Sequence, residues 1–180
     1  LLNSEHRVIS PGTAAICLTV GSIARREGPY ESGGSAMPRL AVSPNKAPSV
    51  FTRTGFGVAK AVKPDFVAYG GNYALQQIPG GNKIWVTEDP HLGEPTLRNS
   101  LQDGRWFRAF CGTSLAAPHV THIAGLLEHA LKEQFESPPS ANLLRAMIVN
   151  SAKVPKDIRE WLRSSKDVND NRRVPRRQEY

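Results

Sequence analysis

The stretch Gly112-Thr113-Ser114-Leu115-Ala116-Ala117-Pro118-His119-Val120 constrains this chain more than any other. After it, apolar residues recur at Val120, Ile123, Ala124, Leu127, Ala130 and Leu131, the spacing of one helical face. A proline is tolerated in a helix only near its start, where a missing N–H costs little, so Pro118 places the beginning close to Ser114. The spacing predicts a helix from about Ser114 to Lys132. Gly112 lacks a Cβ and lets the chain turn close to a ligand, and Thr113 or Ser114 suits a capping position. Two readings follow. The string is either a capped core helix or a serine hydroxyl set beside unpaired N–H groups at the positive end of a helix dipole, where an oxyanion is stabilised.

The rest of the chain alternates strands with helices. Ala14 to Val20 and Phe66 to Ala68 are near-continuous apolar runs, which predicts buried parallel strands. Gly80-Gly81-Asn82 before Lys83 to Val86 predicts a hairpin, and Arg105 to Phe110 a short strand feeding the serine. Arg25 to Gly57 and Thr87 to Gly104 carry turn residues and are expected as loops. Pro138-Pro139 should end the serine helix, and Ser140 should cap the next, with Leu143, Leu144, Met147 and Ile148 on its apolar face. A last amphipathic piece spans 156–165, with Ile158, Trp161 and Leu162 together. No internal repeat is present.

A net charge of +7 raises nucleic-acid binding as a reading. Residues 153–180 hold nine Lys or Arg and five Asp or Glu, so 9 − 5 leaves +4 in the tail. Binding would need basic residues interleaved with aromatics on an ordered face, and the Arg172-Arg173-Val174-Pro175-Arg176-Arg177 run reads as a solvated basic tail instead. No nucleic-acid partner is therefore expected. With 39% apolar residues the chain is globular, and no apolar run approaches the roughly 18 residues that span a bilayer, so no membrane partner is expected either. Cys17 and Cys111 are too few for a disulfide framework. With no signal-peptide pattern at Leu1-Leu2-Asn3-Ser4-Glu5-His6, the balance leans to the cytoplasm.

The nine-residue string resembles the nucleophile motif of the subtilisin-like serine peptidases, the subtilases, which read Gly-Thr-Ser-(Met or Leu)-Ala-(Ala or Ser)-Pro-His-Val. Thr52-Arg53-Thr54-Gly55-Phe56-Gly57 and Val62-Lys63-Pro64-Asp65-Phe66-Val67-Ala68-Tyr69-Gly70 are similar to the family's Ser-Ser-Arg-Gly-Pro and Lys-Pro-Asp-(Val or Ile)-(Val or Met)-Ala-Pro-Gly segments. Phe56 and Tyr69 depart from it, standing where proline is usual. Ile9-Ser10-Pro11-Gly12-Thr13-Ala14-Ala15-Ile16-Cys17-Leu18-Thr19-Val20-Gly21-Ser22 is similar to the strand that in the family ends Ile-Thr-Val-Gly-Ala. The blocks occur in the family's order.

The resemblance implies an α/β fold of the subtilisin-like type. A partial parallel sheet would be flanked by helices, with the nucleophile at the N-terminus of a central helix. It implies a serine endopeptidase that cleaves protein or peptide substrates. Ser114 would be the catalytic nucleophile, with its own backbone N–H in the oxyanion hole. Subtilases order their triad Asp, His, Ser, with both partners far upstream. Residues 1–180 are therefore expected to be one partial domain, the C-terminal half, whose partner is the missing N-terminal part of the same domain. Such a fragment is expected to be inactive alone. The oxyanion asparagine is expected before residue 1, because Asn3 lacks the adjacent glycine of the family's Gly-Asn pair. A half-sheet would also expose an apolar edge able to self-associate. The alternative is a subtilase-like module that binds or scaffolds without cutting.

Other assignments of the chemistry fit less well. An α/β-hydrolase needs an acid and then a histidine after the serine, yet His129, the last histidine, precedes Asp157, Asp167 and Asp170. His6, Asp65 and Ser114 have a chymotrypsin order, but a long helix after the serine argues against two β-barrels. Asp65 belongs to the Lys-Pro-Asp turn and His91 to a loop. His119 and His122 lack a third metal ligand, and each is expected as a packed, hydrogen-bonded histidine, while Cys111 is expected as a small filler at the lip of the site. No cofactor motif is evident. The structural calcium that subtilases can hold has no legible ligand set in these residues.

Overall fold

A computed structural model describes residues 7–26, 29–30, 39–86, 88–98 and 104–164. Asn3, His6 and the arginine-rich part of the tail lie outside the described residues. The elements run β1 (Val20–Ile23), β2 (Pro29–Tyr30), β3 (Arg39–Ala41), β4 (Gly55–Phe56), a 3-10 turn (Val58–Lys60), β5 (Val62–Lys63), β6 (Phe66–Tyr69), β7 (Ala74–Gln77), β8 (Lys83–Val86), β9 (Glu94–Leu97), β10 (Phe107–Phe110), α1 (Thr113–Phe135), α2 (Ala141–Ser151) and α3 (Lys156–Ser164). The architecture is mixed α/β, a parallel strand pair and small antiparallel sheets with helices, and no sheet among the described residues closes into a barrel.

Its centre is the parallel pair β1 and β6, with Val20 opposite Phe66 and Ile23 opposite Tyr69. Helix α1 lies across both strands, and α2 packs on α1. The inward stripe of α1 is Ala116, Val120, Ala124, Leu127 and Leu131, each buried or half-buried. These five sit at the 3- and 4-residue intervals that define one helical face. The helix begins one residue before the expected position and runs three residues longer. It ends at Glu136, which takes a left-handed conformation (φ 54°), before Pro138-Pro139 is reached. Ser140 caps α2 as expected, its hydroxyl accepting from Leu143 N at 3.2 Å.

The first strand departs from expectation. Residues 14–19 form no strand, and Ile16 and Cys17 are exposed. The pairing starts at Val20, because the chain before it is tied into a turn. Lys63, only 2% exposed, donates from Nζ to Cys17 O (3.0 Å) and to Asp65 Oδ2 (2.7 Å), while the same carboxylate oxygen accepts from Thr19 N. Asp65 is thus committed to structure, in agreement with its reading as a turn residue. Beyond β1, the main chain of 46–49 takes the edge away from β6: Ala24 N donates to Ala47 O, Lys46 N to Ala24 O and Ser49 N to Ser22 O.

Two stretches expected as loops contain strands. Within 25–57, β3 joins an antiparallel sheet ordered β2-β3-β7-β8, whose β7–β8 hairpin is the one expected around Gly80-Gly81. Within 87–104, β9 pairs antiparallel with β10, Glu94 standing opposite Phe110. Pro95 and Glu94 are poor strand formers, so this strand exists through its partner rather than through local preference.

Candidate active site

The serine turn is assembled where β6 and β10 end. Gly112 N donates to Gly70 O at 2.8 Å, which fastens the approach to α1 onto the exit of β6. A Cβ on Gly70 would come within 2.5 Å of Ser22 Oγ and 2.6 Å of Gly112 O, so only glycine fits there. Behind it lies a buried polar stack: Ser22 Oγ and Ser49 Oγ are 2.8 Å apart, and Ser49 Oγ donates to Gly71 O at 2.7 Å. Asn72, fully buried, is held by Ser43 through two hydrogen bonds and receives the Cys111 thiol on its carbonyl at 3.1 Å. Apart from the Ser43 hydroxyl, which has no partner, these buried groups are hydrogen-bonded, and the network stiffens the floor of the turn.

On that floor α1 opens with Gly112 as its N-cap and no side-chain cap, contrary to the expectation that Thr113 or Ser114 would supply one. Leu115 N bonds Gly112 O at 3.0 Å. The N–H groups of Thr113 and Ser114 thus point out of the helix without a partner among the described residues, and the Ser114 side chain is exposed with no hydrogen bond there. An exposed hydroxyl flanked by uncapped N–H groups can take an oxyanion formed at its own oxygen's target. Gly112 itself is extended (φ 167°), and a Cβ there would meet only Ser114 N, at 3.8 Å.

The histidines are not where the string suggests. His119, about half exposed, lies with Nε2 3.9 Å from Glu94 Oε2, and His122 is exposed, so neither is a core histidine. His91 sits in the exposed loop before β9, its N–H donating to Asp89 Oδ1. Among the described residues no cluster of three or more His, Cys, Asp or Glu could hold a metal.

Acidic residues missed by sequence reading surround Cys111. Asp89 is fully buried against Arg39 (2.7 Å), and Glu94, 3% exposed, pairs with Arg25 (3.1 Å). Burial pushes the Cys111 thiol up to about 11, with Asp89, Glu94 and Glu88 adding to the shift, so it stays protonated and unreactive at neutral pH. It is a filler as expected. Asp89 and Glu94 lie in a stretch expected as loop, and isolated acids in a loop give no sign that they are buried.

Known proteins supply the frame for this geometry. No solved structure matches the chain. An uncharacterized protein, y4bN, of Sinorhizobium fredii strain NGR234 is 35% identical over 164 residues, covering 90% of this chain. The chain spans only 36% of that relative's length. The subtilase family model matches residues 2–178. Nearly the whole chain, with the serine string, the Lys-Pro-Asp turn and the parallel β1–β6 pair in the family's order, therefore belongs to the subtilase family of peptidases.

Proposed function

We propose that the chain is the nucleophile-bearing part of a serine endopeptidase, with Ser114 attacking the scissile carbonyl of a protein or peptide. The observation that carries this reading is the exposed Ser114 hydroxyl at an uncapped helix N-terminus. The hydroxyl adds to the carbonyl carbon, and the carbonyl oxygen, now anionic, accepts from the Ser114 N–H. Collapse of the tetrahedral adduct expels the amine with a proton and leaves an acyl-enzyme, which water then hydrolyses. The proton acceptor, the acid that orients it and a second oxyanion donor come from another part of a longer protein. Two observations favour such a partner: the chain spans about a third of its relative, and α1 leaves Ile123, Leu126 and Phe135 more than half exposed. A helix apolar on several faces is ordinarily covered on several faces.

Without a positioned base a serine hydroxyl is a poor nucleophile. The 180-residue chain should therefore react with a fluorophosphonate probe no faster than its Ser114→Ala variant. A longer protein carrying the upstream region should label at Ser114 and lose labelling in Ser114→Ala. Absence of labelling in that longer protein would favour a subtilase-like module that binds without cutting.

A further inference from the structure

Glu94 is buried beside the serine turn, and the chemistry proposed for Ser114 does not use it. It opens β9 opposite Phe110, two residues before Gly112. Its carboxylate is 4% exposed. Oε2 accepts from Arg25 Nη1 at 3.1 Å and lies 3.9 Å from His119 Nε2, while Oε1 has no partner. A buried carboxylate with one empty oxygen is costly, so its place must be fixed by the groups that do reach it.

Those groups come from the segment after β1 and from α1, which opens at the serine turn. Arg25 follows β1 and lies 5.3 Å from the ring centre of Tyr69 at the end of β6. His119 stands on α1, five residues after Ser114. No side chain caps α1, so the Gly112–Gly70 hydrogen bond and the packing of Ala116 would otherwise be the main anchors of its first turn. Of the other acids near Cys111, Asp89 is paired with Arg39 and Glu88 is exposed.

We infer that Glu94 is a positioning residue, tying His119 on the nucleophile helix to Arg25 behind β1 and thereby setting the orientation of Ser114. It touches no substrate. Its consequence for catalysis rests on the peptidase reading, whereas the tether itself belongs to this chain and is testable in it.

Amide hydrogen exchange in the 180-residue chain separates the two. Glu94→Gln keeps the shape and removes the charge, and His119→Phe removes the imidazole that faces it at a half-exposed position. Each should speed exchange of the Leu115, Ala116, Ala117 and His119 amides about threefold, the scale of one partly exposed ion pair, with α2 unchanged. The double variant should be no faster than the faster single. Unchanged exchange in both singles, or multiplicative effects in the double, would overturn the tether. If Glu94→Gln fails to fold, His119→Phe and Arg25→Gln carry the same comparison. In the longer protein, Glu94→Gln should lower kcat with KM little changed, and Glu94→Asp should restore part of it. A longer protein that never labels at Ser114 would sink the peptidase reading and leave the exchange result to decide the tether.

Discussion

Two glycines a few ångströms apart answer to different constraints. Gly70 is fixed by the chain itself, since a Cβ would overlap Ser22 Oγ and the Gly112 carbonyl. Gly70→Ala should cost about 1–3 kcal/mol, the range for overpacking a close-packed site, in chemical denaturation. Gly112 has no such conflict, and Gly112→Ala should leave stability within about 0.5 kcal/mol of the parent. If Gly112→Ala nevertheless suppresses Ser114 labelling in the longer protein, what approaches Gly112 is the substrate or another part of the domain. Cys111 makes the pH prediction. Its folded-state value, raised from 9.0 to about 11, means that the fold prefers the thiol. The stability this contributes is present in full below about pH 9 and is lost as pH rises toward 11. Cys111→Ser or Cys111→Ala should flatten that part of the pH–stability curve, and Cys17, which is exposed, should alkylate well before Cys111 at neutral pH.

Helix ends are where element-level chemistry can be tested. Ser140 accepts from Leu143 N, and Ser140→Ala should cost about 1 kcal/mol. At the other end of α1, Glu136 holds a left-handed conformation that glycine adopts without Cβ strain, so Glu136→Gly should stabilise by roughly 0.5–1 kcal/mol. A thermal melt showing destabilisation by Glu136→Gly would mean that the side chain makes an interaction outweighing that strain. The strands divide by what defines them. β6 and the β7–β8 hairpin follow from apolar runs and a Gly-Gly turn, whereas β3 and β9 exist because β7 and β10 lie beside them.

Across the whole molecule, apolar surface is left uncovered. It lies on the flanks of α1 and on the hairpin sheet, where Leu40 and Trp85, in line across β3, β7 and β8, are 46% and 56% exposed. Residues 46–49 bond the main chain of 22–24 at the end of β1, and self-association, expected through an exposed sheet edge, should also engage α1 and this sheet. The isolated chain should sediment as concentration-dependent assemblies, and Leu126→Gln with Phe135→Gln should shift it toward monomer. A compact monomer at every concentration, with no binding of an apolar dye, would overturn that expectation.

The sequence by itself determined helix α1 and its start, because Pro118 and the 3- and 4-residue apolar spacing admit few alternatives. It also determined the α/β class, the Lys63–Asp65 turn and the Ser140 cap, all of which are written in short local strings. Tertiary structure decided what depends on distant partners. The strand at 14–20 moved to 20–23 because Lys63 and Asp65 bind the chain ahead of it. The pairs Arg25–Glu94 and Arg39–Asp89, each with a buried acid, join residues 69 and 50 positions apart, and nothing local in a loop sequence marks an acid as buried. His119 reads as a packed residue from its string, yet it lies half exposed beside Glu94, since its surroundings are set by how β9 docks against α1 rather than by its neighbours in sequence.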